Sequence, residues 1–462
     1  MTSGINRRNF VKFASGAAAA GLAGCSGDGS DSTPADQTDT SGDTGGGSSG
    51  GQTISWLAPA WAARKQQGTK FGSVTNHSVE ITNNNNSTVQ QKMMSGGNEN
   101  FDAVSHDTVL GPAFTTDNDY TAPVATSDLD GWQDGKISDL FLNPAERLSH
   151  LKGQTDKIQK FLWEDPQKKQ KLKQPPHVFN FNGVGLNPKF VDTSVGSYGA
   201  LFDDKYKGKV AMGSVPSIST NEVMGYLKSN GMIDASIGQL NNPTKDQIDT
   251  VVNFLVKQKK SGQFRSTWTS AGQSINLMSS EEAIIGDLWQ PAVFAVRRSG
   301  TPCKYATMSK GVQGYQFWWG GIMPTKPGTG GEKKKDAVTS IIDDVHYSAW
   351  FPGFIQQWGY PTPNYPNKEL VRDGSDDVGD GMGPEYYDWA YEGKKTYQAV
   401  DKPQLFDPKT YDWADEEGSP NADGQKRDQG GIEERIDRTA LFQIWPDNAD
   451  YLLSQWKKFR SA

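Results

Sequence analysis

Leu201-Phe202-Asp203-Asp204-Lys205-Tyr206-Lys207-Gly208-Lys209-Val210-Ala211-Met212 is the stretch on which the fold turns. Its first part is charged and ends at Gly208, the composition of a turn. Its last part is an apolar run that reads as a buried strand. Directly after it, Ser219 or Thr220 is placed to cap a helix carrying Val223, Met224 and Leu227, with Gly231 as its stop. Thr244 and Gln247 then form a capping box at the head of a second helix. The apolar positions of that helix, Ile248, Val251, Val252 and Leu255, recur at helical spacing. Ala283–Trp289 reads as the next strand. Strands that alternate with helices in this way predict an α/β protein with mostly parallel sheets.

Working outward, Thr53–Leu57 reads as a first strand and Asp102–Ser105 as another, ending at His106-Asp107. Val184-Gly185-Leu186-Asn187-Pro188 is a strand that halts at its proline. The Asn-rich residues 83–87 read as a loop. The segment 113–177 is polar, and its lysine-rich run Gln167–Lys173 reads as the solvated face of a helix. The acidic runs Asp373–Asp380 and Asp412–Glu417 read as solvated surface.

The N-terminus is of another kind. Asn6-Arg7-Arg8-Asn9-Phe10-Val11-Lys12 is a charged head, Ala14–Ala23 is apolar or small, and Leu22-Ala23-Gly24-Cys25 closes the segment. The apolar part is too short for a permanent membrane span. The pattern resembles a twin-arginine export signal followed by a lipobox, which implies cleavage before Cys25 and a lipid on its sulfur. Asn6 stands where Ser or Thr is usual before Arg7 and Arg8. Ser26–Gly51 is built of Ser, Gly, Thr and Asp and cannot bury a core, so it reads as a disordered tether. With Cys25 lipidated, Cys303 stands alone and no intrachain disulfide is expected. Asn76, Asn85 and Asn86 head Asn-x-Ser/Thr sequons.

The formal net charge is −7, and loss of residues 1–24, with Arg7, Arg8, Lys12 and no acid, takes it down by three to −10. A chain this acidic is not a nucleic-acid binder. No second apolar run near twenty residues occurs, so no further span is expected.

Three stretches resemble the polyamine-binding branch of the bacterial solute-binding proteins of ABC transporters. They are Tyr198–Val210 with the helix after it, Gly286-Asp287-Leu288-Trp289 with Ala295–Thr301 and Phe317-Trp318, and Gly359-Tyr360-Pro361-Thr362-Pro363-Asn364. Together they cover most of 178–370, and 53–110 matches more loosely. The resemblance implies a two-lobed, type II periplasmic-binding-protein fold, with a central cleft and two hinge crossings near Phe181–Leu186 and Tyr315–Met323. Lobe 1 is expected at 53–183 plus 316–362 and lobe 2 at 184–315 plus 363–462, after a signal at 1–24 and a tether at 25–52. Residues 113–177 and 370–435 read as insertions. The implied partners are a small-molecule ligand, an ABC permease and, through the lipid, the membrane. The chain is expected to be a monomer on the outer face of the cytoplasmic membrane.

Ligands of open α/β sheets bind beyond the carboxyl ends of strands. That places Trp61, Asp107, Glu222, Asp287, Trp289 and Trp318 as candidate contacts: carboxylates for ammonium groups, indoles for methylenes and cations. Within the resemblance, Glu222 falls on an acidic contact and Trp289 and Trp318 on aromatic ones. Ser219 stands where the family has a contact Asp, and Gly320 where it has the Asp beside its second-crossing tryptophan. Asp287, inside an apolar strand, is costly to bury without a partner.

The sequence holds no His-Glu-x-x-His, Gly-x-Ser-x-Gly, Walker loop or Cys-x-x-Cys, and its five histidines (77, 106, 150, 177 and 346) are scattered. No catalytic residue, metal or cofactor is expected, and the chain reads as no enzyme. Two alternatives stay open. A ferric-ion binder would use paired tyrosines, and Tyr386-Tyr387 with Asp388 is present. A glycoside hydrolase would need only two carboxylates among tryptophans.

Overall fold

The computed structural model describes residues 51–393 and 430–462, except 66, 110, 112, 113, 116, 117, 357, 377 and 378. The export signal with Arg7 and Arg8, the lipobox with Cys25, almost all of the tether and the acidic run Asp412–Glu417 lie outside the described residues. Nine strands position the site: β1 (Thr53–Ala58), β2 (Ser78–Asn83), β3 (Ala103–Asp107), β4 (Pro176–Leu186), β5 (Val210–Gly213), β6 (Phe264–Trp268), β7 (Ile285–Trp289), β8 (Tyr315–Pro324) and β9 (Thr439–Phe442). With the short strand Lys304–Tyr305 they form one ten-stranded sheet in the order β2-β1-β3-β8-β4-β7-β5-β6. The short strand adds to β4, and β9 adds to β8.

The sheet is parallel at both ends and antiparallel in the middle. β2, β1 and β3 run parallel, as do β6, β5 and β7. β8 lies antiparallel to both β3 and β4, and β4 lies antiparallel to β7. The long strands β4 and β8 therefore join two parallel α/β units. They coincide with the crossings expected near Phe181–Leu186 and Tyr315–Met323. β4 starts earlier than expected, at Pro176.

Helix α1 (Asn86–Met94) follows β2, α2 (Pro216–Ser229) follows β5, α3 (Lys245–Lys260) precedes β6, and α4 (Gln290–Arg298) follows β7. The capping box of α3 is formed: Thr244 Oγ1 accepts from Gln247 N–H at 3.3 Å, and Gln247 Oε1 from Thr244 N–H at 2.9 Å. Ile248, Val251, Val252 and Leu255 are buried, as their spacing requires. In α2 the expected cap is corrected. The helix starts at Pro216 with Val215 as N-cap, so Ser219 and Thr220 lie inside it, at its fourth and fifth positions. A proline at the first helical position costs nothing, because that N–H has no helical partner.

Other local expectations are corrected in the same way. Residues 83–87 are not all loop: Asn83 ends β2, and Asn85 caps α1 by accepting from Thr88 N–H at 2.8 Å. Asp107 does not follow its strand but ends β3. Gln167–Lys173 is no helix face but a turn running into a two-residue strand, Lys171–Leu172, paired with Val124–Ala125. β2, β6 and β9 had no counterpart in the sequence reading.

Alternation along β4 and β8 sorts their side chains onto two faces. The back face carries Phe179 and Phe181 on β4, and Tyr315, Phe317 and Trp319 on β8. Phe141, from the segment read as an insertion, covers it: its ring packs edge-on against Phe179 (5.6 Å) and Trp319 (6.1 Å) and tilted against Phe317 (6.1 Å). Buried Arg435 lies 5.6 Å from the Phe181 ring and donates to Gln290 Oε1 at 3.2 Å. The same insertion ties down the C-terminal segment. Gln154 Nε2 donates to Ile237 O at 3.0 Å and Ala440 O at 3.1 Å, and Lys157 Nζ to Trp445 O at 2.7 Å and Asp447 at 2.9 Å.

Candidate ligand site

The front face of the crossing strands is polar. In antiparallel pairs, opposed residues project to the same side. Asn180 opposes Trp318, and Asn182 opposes both Gln316 and Trp289. Asp287 opposes Val184, and Asp107 opposes Gly320. The middle of this face is an amide array: Asn182 Nδ2 donates to Gln316 Oε1 at 3.1 Å and Gln443 Oε1 at 3.2 Å. Gln443 is held by its backbone, its N–H on Phe317 O at 2.9 Å and its carbonyl accepting from Thr108 Oγ1 at 2.9 Å. A purely structural strand has little reason to spend buried amides here, since each must find a partner.

One end of the face is acidic. Asp287 comes from β7 and Glu222 from the second turn of α2, and both are fully buried. Asp287 Oδ2 accepts from Gly213 N–H at 3.1 Å. No hydrogen bond of ordinary geometry reaches either Glu222 oxygen, though the carboxyl lies against Asp287 and the Tyr198 phenol. Burial, and then the Asp287 charge, holds Glu222 well above the usual carboxylate range. Burial also raises Asp287, while contact with Glu222 and the Gly213 N–H work against the shift. Two carboxyls in contact and out of water cannot both ionise, so the pair shares a proton near neutrality.

Polar atoms stand without partners on Asp287 and along the start of α2. The hydroxyls of Ser217, Ser219 and Thr220, Asn221 Oδ1 and Asp287 Oδ1 are buried and make no hydrogen bond. All but the last belong to the first turns of α2, whose N-terminus meets the crossing strands where Gln316 Nε2 donates to Ile218 O at 3.3 Å. Ser219 Oγ and the Asp287 carboxylate converge: a Cβ built on Gly213 would lie 3.0 Å from the first and 2.4 Å from the second. Trp289, half-buried, tilts against Trp268 at 6.0 Å beside them.

The other end is aromatic. Trp61 meets Trp318 edge-on at 5.4 Å, with Tyr360 at 6.5 Å and His177 at 6.1 Å. Its Nε1 donates to Asn86 Oδ1 at 2.8 Å, and Asn86 Nδ2 lies 3.4 Å from Asp107 Oδ2. Asp107 also accepts from Val109 N–H at 3.0 Å and contacts His106 Nδ1 at 3.2 Å. Burial lowers the pKa of His177 to about 3, which keeps its imidazole uncharged.

The structure thus brings Glu222 to Asp287, with Trp289 two residues along the same face, and Trp61 to Trp318 and Asp107. It does not bring Asp107 to Asp287, as the sequence argument expected. Six residues of strand separate their levels, roughly 20 Å at 3.3 Å per residue. Strand-end reasoning treats all strand ends as neighbours, but here the two crossing strands stand between them. Asn182, Gln316, Gln443, Trp268 and Asn86 had not been singled out as contacts, while Ser219 had been named at a family contact position. The amides in β4 and β8 were the available signal, as polar residues in otherwise apolar strands.

The alternatives fare differently. Tyr387 donates its phenol to the Tyr365 carbonyl, and Tyr386 stacks on Trp389 at 5.7 Å, so the tyrosine pair is packed inside its insertion. Among the described residues, no group of three or more His, Cys, Asp or Glu is arranged to hold a metal. Glu222 and Asp287 touch, whereas glycosidase carboxyls stand about 5 Å or more apart to admit the sugar.

A spermidine/putrescine ABC transporter substrate-binding protein from Streptococcus pneumoniae shares this architecture, with a TM-score of 0.52 over 73% of this chain and 90% of that one, at 17% identity. The fold is that of the ABC-transporter solute-binding proteins. A lipoprotein of Treponema pallidum aligns at a TM-score of 0.49 and 13% identity, over 73% of this chain and 97% of its own. An ABC transporter substrate-binding protein from Bradyrhizobium japonicum aligns at 0.48 and 14%, over 73% and 95%. No family model matches the sequence, and no curated relative matches it. Among the described residues, no helix is long and apolar enough to cross a membrane.

Proposed function

We propose that this protein captures a small organic cation of the amine class and delivers it to an ABC importer. One observation carries the reading: Ser219 Oγ, Asp287 Oδ1 and both Glu222 oxygens are buried without ordinary hydrogen bonds, and the three side chains converge beside the Gly213 backbone. Buried polar groups without partners are costly. An acidic pair with the Trp289 indole two residues along the same strand face suits an ammonium.

The test is a thermal-shift screen of the purified chain against polyamines, choline-type cations, amino acids, sugars, organic acids and ferric iron. A ligand at 100 times its Kd adds about 2.7 kcal/mol of stability. An amine should shift the melting temperature. A shift with only a sugar or an anion would remove the cation and keep the receptor. No shift with any class would remove the receptor as well.

We further propose lobes at 53–183 plus 316–362 and 184–315 plus 363–462 that close on the solute, and a lipid on Cys25 that holds the chain at the outer membrane face. Solution scattering should show compaction on saturation, and an unchanged radius of gyration would end the closure proposal. Cys25→Ser should release the protein or leave it unprocessed. Retention on the membrane at the normal size would end the anchor.

A further inference from the structure

A side chain at Gly320 is sterically excluded. A Cβ there would stand 2.4 Å from Trp61 Cζ3, 2.8 Å from Trp61 Cη2 and 2.8 Å from His177 Cε1. The Trp61 indole is therefore seated directly on the β8 backbone. It is fixed in that seat by its edge contact with Trp318 and by its bond to Asn86, which reaches on to Asp107. Asp107 is opposed to Gly320 itself. The indole thus closes the front face at the level of Asp107 and engages that carboxylate, through Asn86, as part of its own support.

On the far side of Trp61 and Trp318, the register positions carry Asn180, Asn182, Gln316 and Trp289, and then the carboxyl pair. These intermediate positions are uncharged. Four residues of strand, about 13 Å, separate the level of Trp318 from that of Asp287, and the side chains of Trp289, Glu222 and Trp318 take up part of it.

We propose that Trp61, seated on Gly320, sets the length of the ligand: the site takes a short amine with one ammonium at Glu222–Asp287 and an uncharged end against Trp61 and Trp318. This rests on the amine reading above. A second or third ammonium along the chain would be placed against neutral amides or an indole edge, with no carboxylate among the described front-face positions between Trp318 and the acidic pair to meet it, and would lose its water without replacement. Ligand length is then read by a wall rather than by a second charge.

The test is titration calorimetry of the full chain with 4-amino-1-butanol, putrescine and spermidine, on the wild type, Trp61→Ala and Trp61→Phe. In the wild type, 4-amino-1-butanol should bind more tightly than putrescine, and spermidine at least tenfold more weakly than 4-amino-1-butanol. Trp61→Ala should reduce that penalty at least tenfold, and Trp61→Phe should fall between. Spermidine binding as tightly as the short amines, or a penalty that Trp61→Ala leaves unchanged, would overturn the proposal and leave the amine receptor standing. Absence of binding by all three amines to the wild type would overturn both. Should Trp61→Ala not fold, Trp61→Phe alone decides: a spermidine penalty equal to that of the wild type counts against the wall.

Discussion

The two faces of the same crossing strands are built to opposite rules. The back face of β4 and β8 is phenylalanine, tyrosine and tryptophan, closed by Phe141 and Arg435. The front face is asparagine, glutamine and tryptophan, and leads at one end to the Ser219 hydroxyl and to Glu222 and Asp287 carboxyl oxygens that find no partner. Successive residues of one strand serve both. The difference teaches that stability and recognition share a backbone here without sharing side chains, so each can be attacked separately.

The largest effect should come from the back. Phe317 touches Phe141, Phe179, Phe181, Trp319 and Phe442 and is fully buried. Phe317→Ala should cost about 3–5 kcal/mol in chemical denaturation, the usual toll for a deleted core aromatic. Ligand affinity of the remaining folded protein should stay within a few-fold of normal. A large loss of affinity at unchanged stability would break the division between faces.

The acidic end should behave in the reverse way. Burial and the Asp287 charge favour the protonated form of Glu222 in the folded chain relative to the unfolded one, so the folded pair binds an extra proton and stability falls as pH rises above the ordinary carboxylate range. Glu222→Gln mimics the protonated acid. It should raise stability at pH 7, an advantage that shrinks on acidification and vanishes below about pH 4, the ordinary carboxylate range. The same variant and Asp287→Asn should weaken amine binding about 10- to 150-fold, the worth of one charge-assisted hydrogen bond. A substitution that stabilises the fold and spoils binding is the mark of a site that costs stability. Melting curves across pH that run parallel to wild type would show the pair to be an ordinary part of the core.

Trp289→Ala should come next. The half-buried indole contributes stacking and cation–π contact of about 1–2 kcal/mol, some 5- to 30-fold in affinity, with little change in melting temperature. Equal binding by wild type and variant would move the ligand away from β7. The smallest effect should be at Arg147, which pairs with Glu433 and Asp437 at 2.7 Å on the surface. Arg147→Ala should cost no more than about 1 kcal/mol and leave affinity unchanged. A larger toll would give the insertion a role in holding the site that its exposed pairs do not suggest.

Much of this contrast could be read before any coordinates. β1, β5, β7 and the capping box of α3 follow from apolar runs and spacing that nothing overrides locally. Glu222 and Asp287 were visible as acids in apolar elements, and they do meet. What escaped was long-range. β9 and Gln443 come from the last 24 residues and have meaning only beside β8. Asp107 looked equivalent to Asp287 because strand-end reasoning does not encode the sheet order that separates them. Ser219 looked like a cap because the sequence shows a hydroxyl near a helix start but not that Pro216 has already begun the helix. Trp61 was named for its ring, while the reason for its place is the missing side chain of Gly320.

The single sheet has a mechanical consequence. Both α/β units are edges of one hydrogen-bonded ladder, so rotating one against the other changes the twist of that ladder rather than bending a slack linker. β8 is where the ladder gives. Its pairing slips by one residue against β4 at Gly320–Gly321, and against β9 at Tyr315–Gln316. Such slips concentrate torsion in a short length, and one of them lies directly under the indole of Trp61. In the proposed closure, a turn of the lobes would be geared to the position of that ring: the part that yields and the part proposed to measure the solute would be the same few atoms of backbone.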